Sequence, residues 1–243
     1  MCFDQAMEIR SCKFVLFLAL FSAIALPSAA QSAEFVVSQH GHAVGTAGFR
    51  FTATAEGYDS TSVVRVALEG LDYAFSKTER LSAANRLVHV QLSATVNGAA
   101  VSVTGAPDAA QLLLNISAGG RSSTTRLPAH PAAVFLPDFD PGALETLLAL
   151  AVSQNNRDLW VILPKKAGSV EAVTLATYAD EQGTLDGKPV TVHHLVAAIA
   201  GSITHLFSGP QNQLLQAELP QNGFALIRKG FVLTPPARPQ AAE

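Results

Sequence analysis

Three groups of residues have the types and spacing that chemistry requires. The first is SQHGHAV, residues 38–44, where His40 and His42 stand one residue apart. On a single β-strand two such imidazoles project to one side and can be offered to one metal ion. A third ligand is needed beside them, and no Asp, Glu or His stands close by in the sequence. If one strand runs through this segment, both histidines share its polar face with Thr46, Arg50, Thr52 and Thr54. That is the reading expected of a solvated surface, unless a break at Gly41 or Gly45 intervenes.

The second group is KPVTVHHLVAAIAGSITHLF, residues 188–207. Adjacent strand residues face opposite ways, so only one of His193 and His194 can point with Val190, Val192, Val196 and Ala198; that one is His194. A turn at Ala200-Gly201 then sets Val196 opposite His205 and His194 opposite Phe207. This brings two imidazoles onto one apolar face as diagonal neighbours, about 7–8 Å apart at the backbone. They are candidates for lining a ligand cavity or, joined by His40, His42 or an acid, for holding a metal. The competing expectation is that each is a hydrogen-bonded core histidine.

The third group is acidic. PDFDP, residues 137–141, resembles a carboxylate pair, but Asp140 in front of Pro141 has the form of a helix N-cap followed by a first-turn proline. Asp180, Glu181 and Asp186 surround a turn, YADEQGTLDGK, that lacks the calcium-loop pattern. Motifs for serine nucleophiles, zinc proteases and phosphate-cradling loops are absent, and no cofactor is expected.

The elements that must position these residues are mostly strands. In LVHVQLSATVNGAAVSVTG, residues 87–105, Val88, Val90, Leu92, Ala94 and Val96 alternate with polar residues up to an Asn97-Gly98 turn. A two-residue turn there pairs Val96 with Ala99, Ala94 with Val101 and Leu92 with Val103. The same grammar recurs along the chain, punctuated by Gly57, Gly70, Gly119-Gly120, Asp186-Gly187 and Asn222-Gly223. One segment departs from it: Leu144, Leu147, Leu148 and Ala151 follow helical spacing. The expected fold class is mostly β, a large curved antiparallel sheet or half-barrel of about ten strands with one short amphipathic helix packed on it.

Residues 1–30 read as a secretory signal peptide: Arg10 and Lys13 precede an uncharged apolar run, residues 14–26, and then Pro-Ser-Ala-Ala. That run is shorter than the roughly 20 residues of a membrane-spanning helix. The expected organisation is therefore a signal at 1–30, a single β-rich domain at 31–234 and a disordered tail at 235–243. Export to the periplasm or medium follows, with no membrane span after signal removal. Both cysteines, Cys2 and Cys12, leave with the signal, which excludes disulfides, zinc ribbons and thiol chemistry from the exported chain. The signal carries two charges of each sign, so the formal net charge stays at -3 and offers nothing to hold a nucleic-acid backbone.

In layout, FLPDFDPGALETLLALA, LWVILP, VEAVTLATYADEQGTLDGKPVTVHHLVA and HLFSGPQNQLLQAELPQNGFALIRKGF follow one another as lead-in and helix, strand, hairpin with a DGK turn, and closing strands. This order resembles uncharacterised secreted bacterial proteins with a long, bent antiparallel sheet, similar in shape to lipoprotein-carrier half-barrels. The resemblance implies an apolar concavity that in carriers holds acyl chains, and it implies no catalytic residues. The expected function is a non-enzymatic exported protein that binds an apolar small molecule, a lipid or an envelope protein. Phe49, Phe51, Leu144, Leu148, His194, His205 and Phe207 are the expected lining. The contrasting expectation is an extracytoplasmic histidine-metal protein or hydrolase built on His194 and His205.

Overall fold

The computed structural model describes residues 31–165 and 168–235. The expected signal peptide and all of the expected tail except Pro235 lie outside the described residues. Among the described residues eight strands come first, as a continuous antiparallel meander: β1 (Gln31–Gln39), β2 (His42–Thr54), β3 (Gly57–Leu68), β4 (Leu71–Ser82), β5 (Leu87–Val96), β6 (Ala99–Asp108), β7 (Gln111–Ala118) and β8 (Arg121–Pro128). Tight turns join them. At His40-Gly41, Asn97-Gly98 and Gly119-Gly120 both turn residues have positive φ, the backbone that matches strand twist. Asn97 also ties its turn to the neighbouring hairpin, its side chain accepting from Asp72 N at 2.7 Å and donating to Gly70 O at 3.2 Å.

The chain then passes through β9 (Ala133–Phe135), helix α1 (Pro141–Ser153) and β10 (Leu159–Leu163), which lies parallel to β9. It continues through β11 (Ser169–Thr177), β12 (Glu181–Leu185), β13 (Lys188–Ile199), β14 (Ser202–Ser208), β15 (Leu214–Leu219), β16 (Phe224–Arg228) and β17 (Phe231–Leu233). β16 returns to pair with β1, Phe35 opposite Arg228. The pairings therefore run β8 to β1 and on through β16, β15, β14, β13, β11, β10 and β9 in one open, mostly antiparallel sheet. The first half of β13 pairs instead with β12, whose other edge carries β17. The class matches the sequence expectation, but the strand count among the described residues is 17 rather than about ten.

The hairpin register is the expected one, with Val96 opposite Ala99, Ala94 opposite Val101 and Leu92 opposite Val103. Alternation places Phe35, Val37, Phe49, Val64, Phe75, Leu92, Val103 and Leu114 on one face, and the sheet wraps that face around α1. Asp140 caps α1, its Oδ1 accepting from Gly142 N at 2.9 Å and Ala143 N at 3.2 Å. This satisfies two of the donors that a helix start leaves free.

The helix departs from expectation in one respect. It is not a surface helix with one apolar stripe: Pro141 through Leu148, with Leu150 and Ala151, are buried. A sheet that curls around a helix covers polar positions such as Glu145 and Thr146 as well. A second, smaller core lies elsewhere, where Val192, Phe207, Leu215 and Phe231 pack beneath the β12–β17 pair.

Candidate functional site

The two halves of β13 bury different faces. Leu195, Ala197 and Ile199 join the main core, while Val190 and Val192, on the face of His194, join the smaller one. The strand register is as expected, His194 opposite Phe207 and Val196 opposite His205. His194 Nε2 and His205 Nδ1 meet at 3.0 Å. Glu181 Oε1 lies 3.0 Å from His194 Nδ1, which gives a carboxylate, an imidazole and a second imidazole in series. The His194 ring stacks on Phe207, centroids 4.5 Å apart and 18° from parallel, and lies 5.1 Å from the Tyr178 ring. His193, on the opposite face, meets Asp180 at 2.9 Å in an exposed pair.

Beside this cluster is a cleft of about 660 Å³ lined by Tyr178, Ala179, Asp180, Glu181, Gln182, His194, Thr234 and Pro235. Its volume falls in the range of small-molecule sites, about 300–1,000 Å³. Tyr178 forms one wall and is 55% exposed. The His194–Glu181 pair places a hydrogen-bonding, charge-bearing group against a mainly apolar wall. Such a site can orient a polar head while it covers an apolar body.

The expected lining residues therefore fall into two places. Phe49, Leu144 and Leu148 are buried in the main core, and Phe51 packs against it. The Phe49 ring is 5.2 Å from Phe51 and 6.2 Å from Phe35. His194, His205 and Phe207 are brought together on the other face, because β13 is covered there by β12 and β17 rather than by the concave interior. The concavity itself is occupied by α1, which carries Leu144 and Leu148 and lies against Phe49 at Gly142. His40 forms the β1–β2 turn instead of continuing a strand; its N–H donates to Gly223 O at 2.8 Å and its ring covers Gly223. His42 is exposed at the start of β2. Among the described residues, no three His, Cys, Asp or Glu side chains are placed to hold one metal ion.

Sequence reasoning missed a second cluster. Lys77 and Glu79 on β4 face inward, and both are buried with Asp140. Lys77 Nζ lies 2.7 Å from Asp140 Oδ2 and 2.9 Å from Glu79 Oε2. Ser62 is directly opposite Lys77 and Ser60 opposite Glu79 across the β3–β4 ladder, and both serines are buried as well. Burial pushes Lys77 toward the free amine, but the Asp140 and Glu79 carboxylates outweigh it and hold the group above its ordinary value. Burial raises Glu79, with Lys77 opposing. Burial also raises the Tyr73 phenol, helped by Asp138 and Asp140. The available signal was the alternation Phe75, Lys77, Glu79, Leu81, which puts both charges on the face of two core residues.

No protein-family model matches this chain, and comparison with curated proteins and with solved structures finds no match.

Proposed function

We propose that the chain is an exported, non-enzymatic β protein that binds a small apolar or lipid-like molecule at the cleft beside Tyr178 and His194. The observation that carries this reading is the stacked Tyr178–His194 pair on a cleft of about 660 Å³. An exposed aromatic ring beside a half-buried imidazole gives apolar area and one fixed polar contact, the usual division of labour in a ligand site. Affinity comes from apolar surface removed from water, about 25 cal/mol per Å². The Glu181–His194–His205 series fixes the polar end. Because α1 fills the concave interior, the reading places the ligand on the opposite face, where His194, His205 and Phe207 are already together.

The test is native mass spectrometry of protein purified from its own exported fraction, followed by denaturation to release whatever is bound. A retained organic mass, lost in Tyr178→Ala and His194→Ala variants that still fold, supports the reading and supplies the ligand. Zinc or copper bound in the wild type and lost with His194 and His205 would replace it with the metal reading. A bare monomer with no bound mass would sink it.

A further inference from the structure

The buried cluster beneath the start of α1 has the parts needed to join two side chains covalently. An amine nucleophile, Lys77 Nζ, lies 2.7 Å from one oxygen of the Asp140 carboxyl. The other oxygen, Oδ1, accepts from the Gly142 and Ala143 backbone N–H groups at 2.9 and 3.2 Å. Two amides at a helix N-terminus aimed at one carboxyl oxygen are the arrangement that stabilises negative charge developing on a carbonyl under attack. A second carboxyl, Glu79, reaches the amine at 2.9 Å. The three side chains are 0–1% exposed, so bulk water is excluded. Tyr73, tilted against Phe75 and edge-on to Phe139, adds aromatic bulk nearby.

We propose that Lys77 and Asp140 form an intramolecular isopeptide bond, with Glu79 as the proton carrier. The ammonium first passes its proton to Asp140 across the 2.7 Å contact, leaving a free amine and a neutral carboxylic acid. Such an exchange removes two opposite charges from a site where burying each is costly. The Nζ lone pair then attacks Cγ, and Oδ1 takes the developing charge between Gly142 N–H and Ala143 N–H. Glu79 accepts a proton from the nitrogen and returns one to the Oδ2 hydroxyl, which leaves as water. The balance is one amine and one acid giving one secondary amide and one water, with Glu79 regenerated and no other reactant. Oδ1 becomes the amide oxygen and continues to cap the helix.

The unpartnered atoms fit this sequence. Ser60 Oγ, Ser62 Oγ and Glu79 Oε1 are buried without hydrogen-bond partners, and Asp140 Oδ2 has only the ion pair. Three of them provide polar contacts for the departing water, and the fourth is the atom that departs. Residue 141 matters too. Its proline nitrogen carries no hydrogen, so Asp140 cannot dehydrate by cyclising onto the following amide as an Asp-Gly pair can. Holding the reactants in contact substitutes for concentration, an effect that reaches effective molarities of about 10⁵ M or more in well-oriented intramolecular reactions. The free amine is the minor form beside two carboxylates, so the bond forms slowly after folding. The inference is independent of the ligand reading.

The test is peptide mapping of the folded wild-type chain after prolonged incubation, with intact mass measured under denaturing conditions. The expected result is a species one water lighter, with a missed tryptic cleavage at Lys77 and a branched peptide joining Lys77 to Asp140. Glu79→Gln, which keeps the shape but cannot carry the proton, should return to the full mass. Asp140→Asn should give the same branched peptide with loss of ammonia instead of water. Wild type at full mass, cleaved normally at Lys77, would overturn the proposal. So would a water loss that maps to any other residue.

Discussion

Ser62 and Lys77 are direct partners across β3 and β4, and both side chains are buried under the first turn of α1. The sheet thus holds a cation where the helix dipole disfavours one, and only Asp140 and Glu79 compensate it. Replacing Lys77 with Met keeps the length and leaves two carboxylates buried without a cation. In freshly folded protein, where the three groups are still an ion cluster, the expected loss is about 3–5 kcal/mol, the range for breaking one side of a buried pair. Urea unfolding of Lys77→Met beside Lys188→Met, an exposed lysine on β13, measures it; equal midpoints would show the cluster to be energetically idle.

A Cβ added at Gly142 would lie 2.6 Å from Ser62 Oγ and 3.0 Å from Phe49 Cβ. Gly142→Ala should therefore cost about 1–3 kcal/mol through overpacking, although alanine is the better helix former by about 1 kcal/mol. Ser62→Ala removes the nearer obstacle together with a buried, unpartnered hydroxyl. The double variant should recover part of the loss, a positive coupling read from a cycle of unfolding midpoints. Simple additivity would mean that α1 shifts as a body instead.

Local chemistry was legible in the residues, and long-range placement was not. The Asn97-Gly98 hairpin, the His194–Phe207 register and the Asp140 cap each depend on neighbours within a few positions, and each appears as expected. The strand count fell short because the His40-Gly41 turn divides a segment that reads as one strand, and because β9 and β17 have three residues each. The Lys77–Glu79 pair was hidden for a different reason. Ser76, Thr78 and Arg80 are polar as well, so only Phe75 and Leu81, at the two ends of the run, mark the inner face of β4. The return of β16 to β1, which joins Phe35 to Arg228, leaves no trace in any local window.

Phe231 packs against β12, the strand that brings Glu181 and Gln182 to the Tyr178 cleft. It belongs to the smaller core with Val192, Phe207 and Leu215, and a Cβ at Gly183 would lie 2.9 Å from its ring. Phe231→Ala removes one of that core's two aromatic rings, a change that costs about 3–5 kcal/mol in well-packed sites. The cost should be local, since β12 and β17 pair with little else. Hydrogen exchange should accelerate across residues 181–185 and 231–234 while β3 to β6 keep their protection. Uniform acceleration throughout would show that the two cores unfold as one.

Glu145 makes stability depend on pH in the direction opposite to a surface carboxylate. It is 7% exposed on α1, with Oε2 accepting from Leu214 N at 2.6 Å and Oε1 accepting from the Gln31 amide. Burial raises its pKa above the ordinary 4.5, and the two N–H donors and Arg228 only partly offset this. Between 4.5 and the raised value the folded chain binds more protons at this site than the unfolded chain does. Stability from this group is therefore fully present below pH 4.5 and is lost as pH rises through the folded pKa. Glu145→Gln keeps an acceptor for Leu214 N–H and takes the proton equilibrium away. A glutamine at 145 also presents an amide to Gln31, whose own amide can rotate to accept from it. Thermal midpoints of the two proteins should thus diverge above pH 4.5, with the variant gaining steadily on the wild type as pH rises and reaching a plateau once Glu145 is ionised. A constant difference across the range would mean that Glu145 keeps its ordinary pKa inside the fold, and that Leu214 N–H and Gln31 compensate its burial in full.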